Sequence, residues 1–277
     1  MSIEAPERVL MLCADDFGMS PGVSKGIARL ARRERLGAVS CLTGMPHWRS
    51  AAPLLAELPA SVDAGLHFNL TEGEPVSAEL RRHWPTLPSL QRLIVAAHAR
   101  RLPLDALAAE FAAQRAAFID ASGREPAFID GHQHVHHLPG VREVVLDAIG
   151  DAGAPVRNTA RVGGPGFGLK RALIAGTGGW ALQRELRRRG LRHNAVLLGV
   201  YDFVPGRYRQ WMQGWLAAVP AEGALLFCHP GDPDDSGVAD PIARARGPEA
   251  DYLASDAFAD DLAAAGVVLG RAWRRIT

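Results

Sequence analysis

The sequence predicts an α/β protein, a single (β/α) barrel-like domain over residues 1–277, distorted or incomplete, with seven or eight parallel strands. Three observations predict it. Short apolar runs alternate with longer amphipathic stretches almost from end to end, the pattern of βαβ units. A chain of 277 residues, 48% hydrophobic, suits one large core, and no linker or low-complexity tract divides it. Carboxylates and imidazoles gather just past the ends of several apolar runs, where barrels of this kind carry their chemistry. A doubly wound open sheet is the alternative arrangement.

The elements follow in order. Residues 9–14, Val-Leu-Met-Leu-Cys-Ala, are apolar at every position, as a strand buried on both faces requires. A helix over 22–35 follows, with Ser20 as its cap. Strands are expected at 38–43 and 62–67, separated by a helix at 48–58. Residues 71–89, with Pro75, Pro85 and Pro88, read as a long loop. A helix at 104–121 leads to a strand at 127–132, and a helix at 141–152 to a strand at 155–158. Helix 169–189, strand 195–200, helix 208–218, strand 224–229, helix 249–265 and strand 267–269 complete the alternation. Loops at 163–168 and 230–247 resemble functional lids in their length and composition. The first is glycine-rich but lacks the Gly-Lys-Ser/Thr ending of a phosphate loop.

Composition excludes several classes. The 31 Lys and Arg against 30 Asp and Glu give a net charge of +1, so nothing draws the chain as a whole toward nucleic acid or anionic membrane. The basic stretch from Arg184 to His193 reads as a solvated helix end. Cys13, Cys41 and Cys228 are too few and scattered for a disulfide framework and sit inside apolar runs as free thiols. The N-terminal stretch lacks a secretory leader pattern, and no apolar run approaches the roughly 20 residues of a membrane span. A cytoplasmic protein is expected. The oligomeric state is left open, a homo-oligomer included.

The chemistry lies in four strand ends. Asp15 and Asp16 close the first strand, His67 the third, Asp130 and His132 the fourth, and His229 a late one. Buried carboxylates and imidazoles are costly unless paired or metal-bound, so their convergence points to a divalent cation. Neighbouring residues leaving a strand face different ways, and Asp15 and Asp16 could divide the work between metal and water. In the run from His132 to His137, a continuing strand would put Asp130, His132, His134 and His136 on one face. His132, nearest the strand end, is then the ligand, Asp130 could orient a ligand imidazole, and His134 and His136 either support the ligands or meet substrate. Asn69 shares a face with His67. His229, on a Pro-Gly turn, is placed as a general acid. Trp84, in the proline-bearing loop, is the candidate substrate platform among Trp48, Trp84, Tyr201, Trp211 and Trp215, because Trp211 and Trp215 have the i, i+4 spacing of helix packing. Arg157 could meet a substrate anion or form a structural ion pair.

Three segments carry a family resemblance. Ala14-Asp15-Asp16-Phe17-Gly18-Met19-Ser20-Pro21-Gly22-Val23, Gly65-Leu66-His67-Phe68-Asn69-Leu70-Thr71-Glu72-Gly73 and Asp130-Gly131-His132-Gln133-His134-Val135-His136 resemble the YdjC-like carbohydrate deacetylases, which include the chitooligosaccharide deacetylases. His229-Pro230-Gly231 is similar to the family's late motif, and the resemblance runs from about residue 8 to 270. It implies a (β/α) barrel-like fold and hydrolysis of N-acetyl groups on amino sugars or oligosaccharides. It also implies a divalent metal, Mg2+, on Asp16, His67 and His132, with Asp15 as base. Two imidazoles among three donors suit Zn2+ better, which keeps zinc as the alternative. Gly131 stands where the resemblance leads one to expect serine, and a glycine there predicts a wider pocket. Another barrel hydrolase, such as a phosphoesterase or amidohydrolase, or a non-catalytic metal- or sugar-binding protein, are the competing readings.

Overall fold

Seven strands, every pairing parallel, form the sheet in the computed structural model, which describes residues 8–151, 153–234 and 236–275. They are β1 (Arg8–Phe17), β2 (Ala38–Cys41), β3 (Asp63–Phe68), β4 (Ile129–Gly131), β5 (Leu197–Leu198), β6 (Ala224–Cys228) and β7 (Val267–Leu269). The order is β4-β3-β2-β1-β6-β5, with β7 beside the start of β1. The helices are α1 (Pro21–Arg32), α2 (Trp48–Ala51), α3 (Ala78–His83), α4 (Leu90–His98), α5 (Leu104–Ser122) and α6 (Val141–Ile149) in the first half. In the second half they are α7 (Gly168–Ile174), α8 (Trp180–Arg188), α9 (Tyr208–Ala217), α10 (Ala243–Ala254) and α11 (Asp256–Ala265). This is a parallel sheet curled into a half-barrel with flanking helices, a distorted (β/α) barrel.

The curl is completed without regular strands. Between β4 and β5 the chain from 155 to 163 touches both edges: Arg157 N–H donates to Ile129 and Gly163 N–H to Leu197. Only single-residue bridges form there, Ile129 to Val156 and Val162 to Leu197. The strands expected at 155–158 and 195–200 are therefore reduced, one to isolated bridges and one to two residues.

Other differences have local causes. Expected helix 169–189 is broken by a π turn at Ala175–Gly179, where a Cβ on Gly178 would stand 2.0 Å from the His137 carbonyl oxygen. Expected helix 249–265 is two helices that meet at Ser255. The expected loop 71–89 contains α3, capped by Ser77, which accepts from Leu80 N–H. The end of expected helix 141–152, residue 235 of the long loop, and the N-terminal stretch 1–7 lie outside the described residues.

Two glycine contacts set the site's surroundings. Cβ atoms on Gly22 and Gly26 would lie 2.3 Å from the Asp232 oxygen and 2.7 Å from its nitrogen, so glycines bring α1 against the loop after β6. A Cβ on Gly65 would meet the Phe128 ring at 2.5 Å, so that glycine makes room for the ring inside the barrel. Cys13, Cys41 and Cys228 are buried free thiols on the adjacent strands β1, β2 and β6, and burial pushes all three pKa values up.

Candidate metal centre and cavity

A cavity of about 580 Å³ opens at the C-terminal ends of the strands. Asp15, Asp16, His67, His132 and His134, all buried, line its inner part. Asp16 stands on the bulge where β1 shifts register against β2, with φ of +71°, a conformation rare for a residue with a Cβ. Gln133, His134 and Phe203 also line the cavity with positive φ, so backbone strain gathers here.

One donor each from Asp16, His67 and His132 lies within 4.8 Å of the others. Asp16 Oδ1 is 3.1 Å from His132 Nδ1 and 3.6 Å from His67 Nε2. His67 Nδ1 faces Asp130 Oδ1 at 2.6 Å, and Ser40 donates to the same oxygen at 2.5 Å. That contact fixes the His67 tautomer and turns Nε2 toward Asp16, the carboxylate–imidazole arrangement common behind metal ligands. Burial opposes a charged Asp16, but Arg246 and His132 outweigh it and hold the carboxyl well below its usual range. Burial likewise lowers His132, yet its hydrogen bond to Asp16 and the nearby Glu72 carboxylate win and push it up to about 9. The donor set fits a divalent cation: a carboxylate and two imidazoles meet at one point, and the buried His132 Nε2 has no hydrogen-bond partner.

Asp15 faces elsewhere. Arg157 grips it with two bonds of 2.7 and 2.6 Å, and the same guanidinium reaches Asp130 Oδ2 at 2.5 Å. Burial opposes the charge on Asp130, but Arg157 and then His67 overcome it and lower its pKa. His229 stands beside the trio with Nδ1 buried and unpartnered, its ring edge-on to Phe203 and Phe227. Burial, opposed by Asp16 and Asp15, brings its pKa down to about 4. Its backbone N–H donates to Glu249 at 2.7 Å.

Several expected substrate contacts are corrected. Arg157 is fully buried and committed to Asp15 and Asp130, so it meets no substrate. Trp84 packs beside the cluster of Leu66, Phe68 and Leu80 and does not line the cavity. Asn69 turns back on its own loop, accepting from Thr71 and Glu72 N–H at 3.0 Å each, which places Glu72 on the cavity wall. His136 is 1% exposed and donates to the Arg157 carbonyl at 2.8 Å. Only His134 of the five lines the cavity. The shared face expected for the histidines fails because β4 stops at Gly131 and His132–His137 turns tightly, with Gln133 and His134 at positive φ. A Cβ on Gly131 would lie 2.8 Å from His136 N, so glycine admits that turn rather than widening the pocket.

Sequence reasoning missed Glu72, Arg246, Asp240, Ser40 and Glu249. Glu72 lies 3.6 Å from His132 Nε2, and its place beside Asn69 was the signal. Arg246 bonds Asp16 at 2.8 Å and Asp240 at 2.5 Å.

The profile of the family described as YdjC-like protein matches residues 9–264. The chitooligosaccharide deacetylase of Salmonella dublin is 37% identical over 158 residues, 54% of this chain and 59% of that protein. The protein of the same name from Salmonella enteritidis PT4 aligns with the same figures, so the match spans less than two thirds of these relatives. A solved Enterococcus faecalis V583 structure, described as a candidate for cellobiose-phosphate cleavage, is similar in fold. It has a TM-score of 0.72 at 21% identity, over 96% of this chain and 98% of that one.

Proposed function

The chain belongs to the YdjC-like family, and from that premise we propose a metal-dependent hydrolase that removes N-acetyl groups from amino sugars or oligosaccharides. In this reading the whole of residues 1–277 serves as one catalytic domain. The observation that carries it is the donor trio at the inner end of the cavity, in a lining that also holds Asp15 and His229. Asp16, His67 and His132 would hold the ion, Mg2+ by resemblance to the family and Zn2+ by the chemistry of the donors. A divalent cation there supplies Lewis-acid polarisation of the acyl oxygen and lowers the pKa of water.

The chain's own groups supply the proton transfers. Asp15 keeps lone pairs beyond those given to Arg157 and takes the proton of the attacking water. His229 delivers a proton to the departing amine, and His134 lines the space for the sugar. One observation favours a second assignment: with a pKa of about 4 and an unpartnered Nδ1, His229 starts as the neutral imidazole. It would then take the proton from water and return it to nitrogen, while Asp15 acts only through its charge.

Acetate release from N-acetylglucosamine oligomers, with and without a chelator, tests the function. Chelation is expected to abolish release and added metal to restore it; no acetate under either condition overturns the reading. Asp15→Asn separates the assignments. A loss of ~10²–10⁴-fold with metal content retained supports Asp15 as base. A loss below about tenfold passes that role to His229.

A further inference from the structure

The wall of the cavity differs in kind from its inner end. Outside the polar cluster it is mostly aliphatic, with Leu90, Ile94, Leu138, Leu173, Ile174 and Ile242 beside the polar Gln91 and Thr177. Leu90 and Ile94 arrive on α4, Leu138 just after the His132–His137 turn, Leu173 and Ile174 on α7, and Ile242 just before α10, four separate segments. The aromatic rings of the lining are Tyr201, Phe203 and Phe227; the last two pack edge-on to His229 and Tyr201 packs against Phe203, so they stand near the chemistry rather than along the wall. Trp48 and Trp215 are buried and Trp84 is turned away. A second or third sugar ring would meet aliphatic side chains instead of aromatic faces.

The helix α7 has no buried residue, and Leu169 and Leu173 on it are 77% and 57% exposed. Lys170 ties this helix to the lining by donating to the Tyr201 carbonyl at 2.9 Å, its ammonium lying over the Phe203 ring. Leu173, exposed where it lines the cavity, gains free energy when an apolar group covers it. The lysine and the arginine of the lining are both engaged, Arg246 by Asp16 and Asp240 and Lys170 by the Tyr201 carbonyl, so neither stands free for a phosphate.

We propose that the substrate is an N-acetylated amino sugar bearing an apolar aglycone, with the acetamide at the polar inner end and the aglycone along the aliphatic wall. This rests on the deacetylase reading above. The acetyl group is small and goes where the bond is cut. The larger apolar wall therefore falls to the part of the substrate that extends outward.

The experiment compares acetate release from the methyl and octyl β-glycosides of N-acetylglucosamine, below micelle formation, and from diacetylchitobiose. Full burial of a methylene is worth about fourfold in binding. Even partial burial of the chain should raise kcat/KM for the octyl glycoside at least about tenfold over the methyl one, through a lower KM. Leu173→Ser should narrow that ratio at least about threefold. Equal kcat/KM for the two glycosides, or chitobiose preferred to both, overturns the proposal and leaves the deacetylase reading standing. Acetate from none of the three overturns both.

Discussion

Two arginines hold the two adjacent aspartates from opposite sides, and they belong to different parts of the molecule. Arg157 lies wholly inside the barrel, bonded to Asp15, Asp130 and Cys13, with no exposed surface. Arg246 comes over the strand ends from α10, bonds Asp16 and Asp240, and lines the cavity. The first ties β1 to the last residues of β4 and, through Asp130, fixes His67. The second holds a carboxylate that is also a candidate ligand. Neighbours in sequence thus sit in separate charge networks, one built into the core and one shared with whatever enters the cavity.

The inner network should break hardest. Arg157→Met leaves Asp15 and Asp130 buried without their counter-charge and is expected to cost about 3–5 kcal/mol of stability, read by denaturant unfolding. A cost under about 1 kcal/mol would mean the two arginines are not different in kind. The outer network should respond to pH. His132, with a pKa of about 9, carries a proton at neutral pH that a metal must displace. Apparent cation affinity, measured by calorimetric titration, should rise roughly tenfold per unit between pH 6 and 8. A flat profile would remove His132 from the ligand set. The smallest effect is expected from Arg246→Gln. Taking one positive charge off Asp16 should tighten cation binding roughly threefold to tenfold, the scale of one screened charge at close range. Weaker binding would show instead that Arg246 aims Asp16.

What could be read in the sequence follows the same division. Asp16, His67 and His132 were legible because apolar runs mark where buried parallel strands end, and ends of neighbouring strands converge. The role of Arg157 was not. Between 155 and 158 there is no regular strand, so no alternation says which way the side chain points. The shared face expected of His134 and His136 failed for a related reason: the pleat that would align them stops at Gly131. Arg246 had no local signal. Arg244, two residues earlier in the same Ala-Arg-Ala-Arg run, is exposed, and only the packing of α10 against α1 decides which arginine reaches Asp16. The seven strands fell within the expected count, while α3, α4 and the π turn came from tertiary contacts that periodicity does not carry.

The three thiols on β2, β1 and β6 give the protein its own stopwatch. Each is buried and kept protonated, and a thiol-specific reagent can reach it only when its strand separates from its neighbours. If the centre of the sheet opens as one cooperative unit, Cys13, Cys41 and Cys228 become modified at a single common rate. Where one outpaces the others, the strand that carries it marks the seam along which the barrel first comes apart.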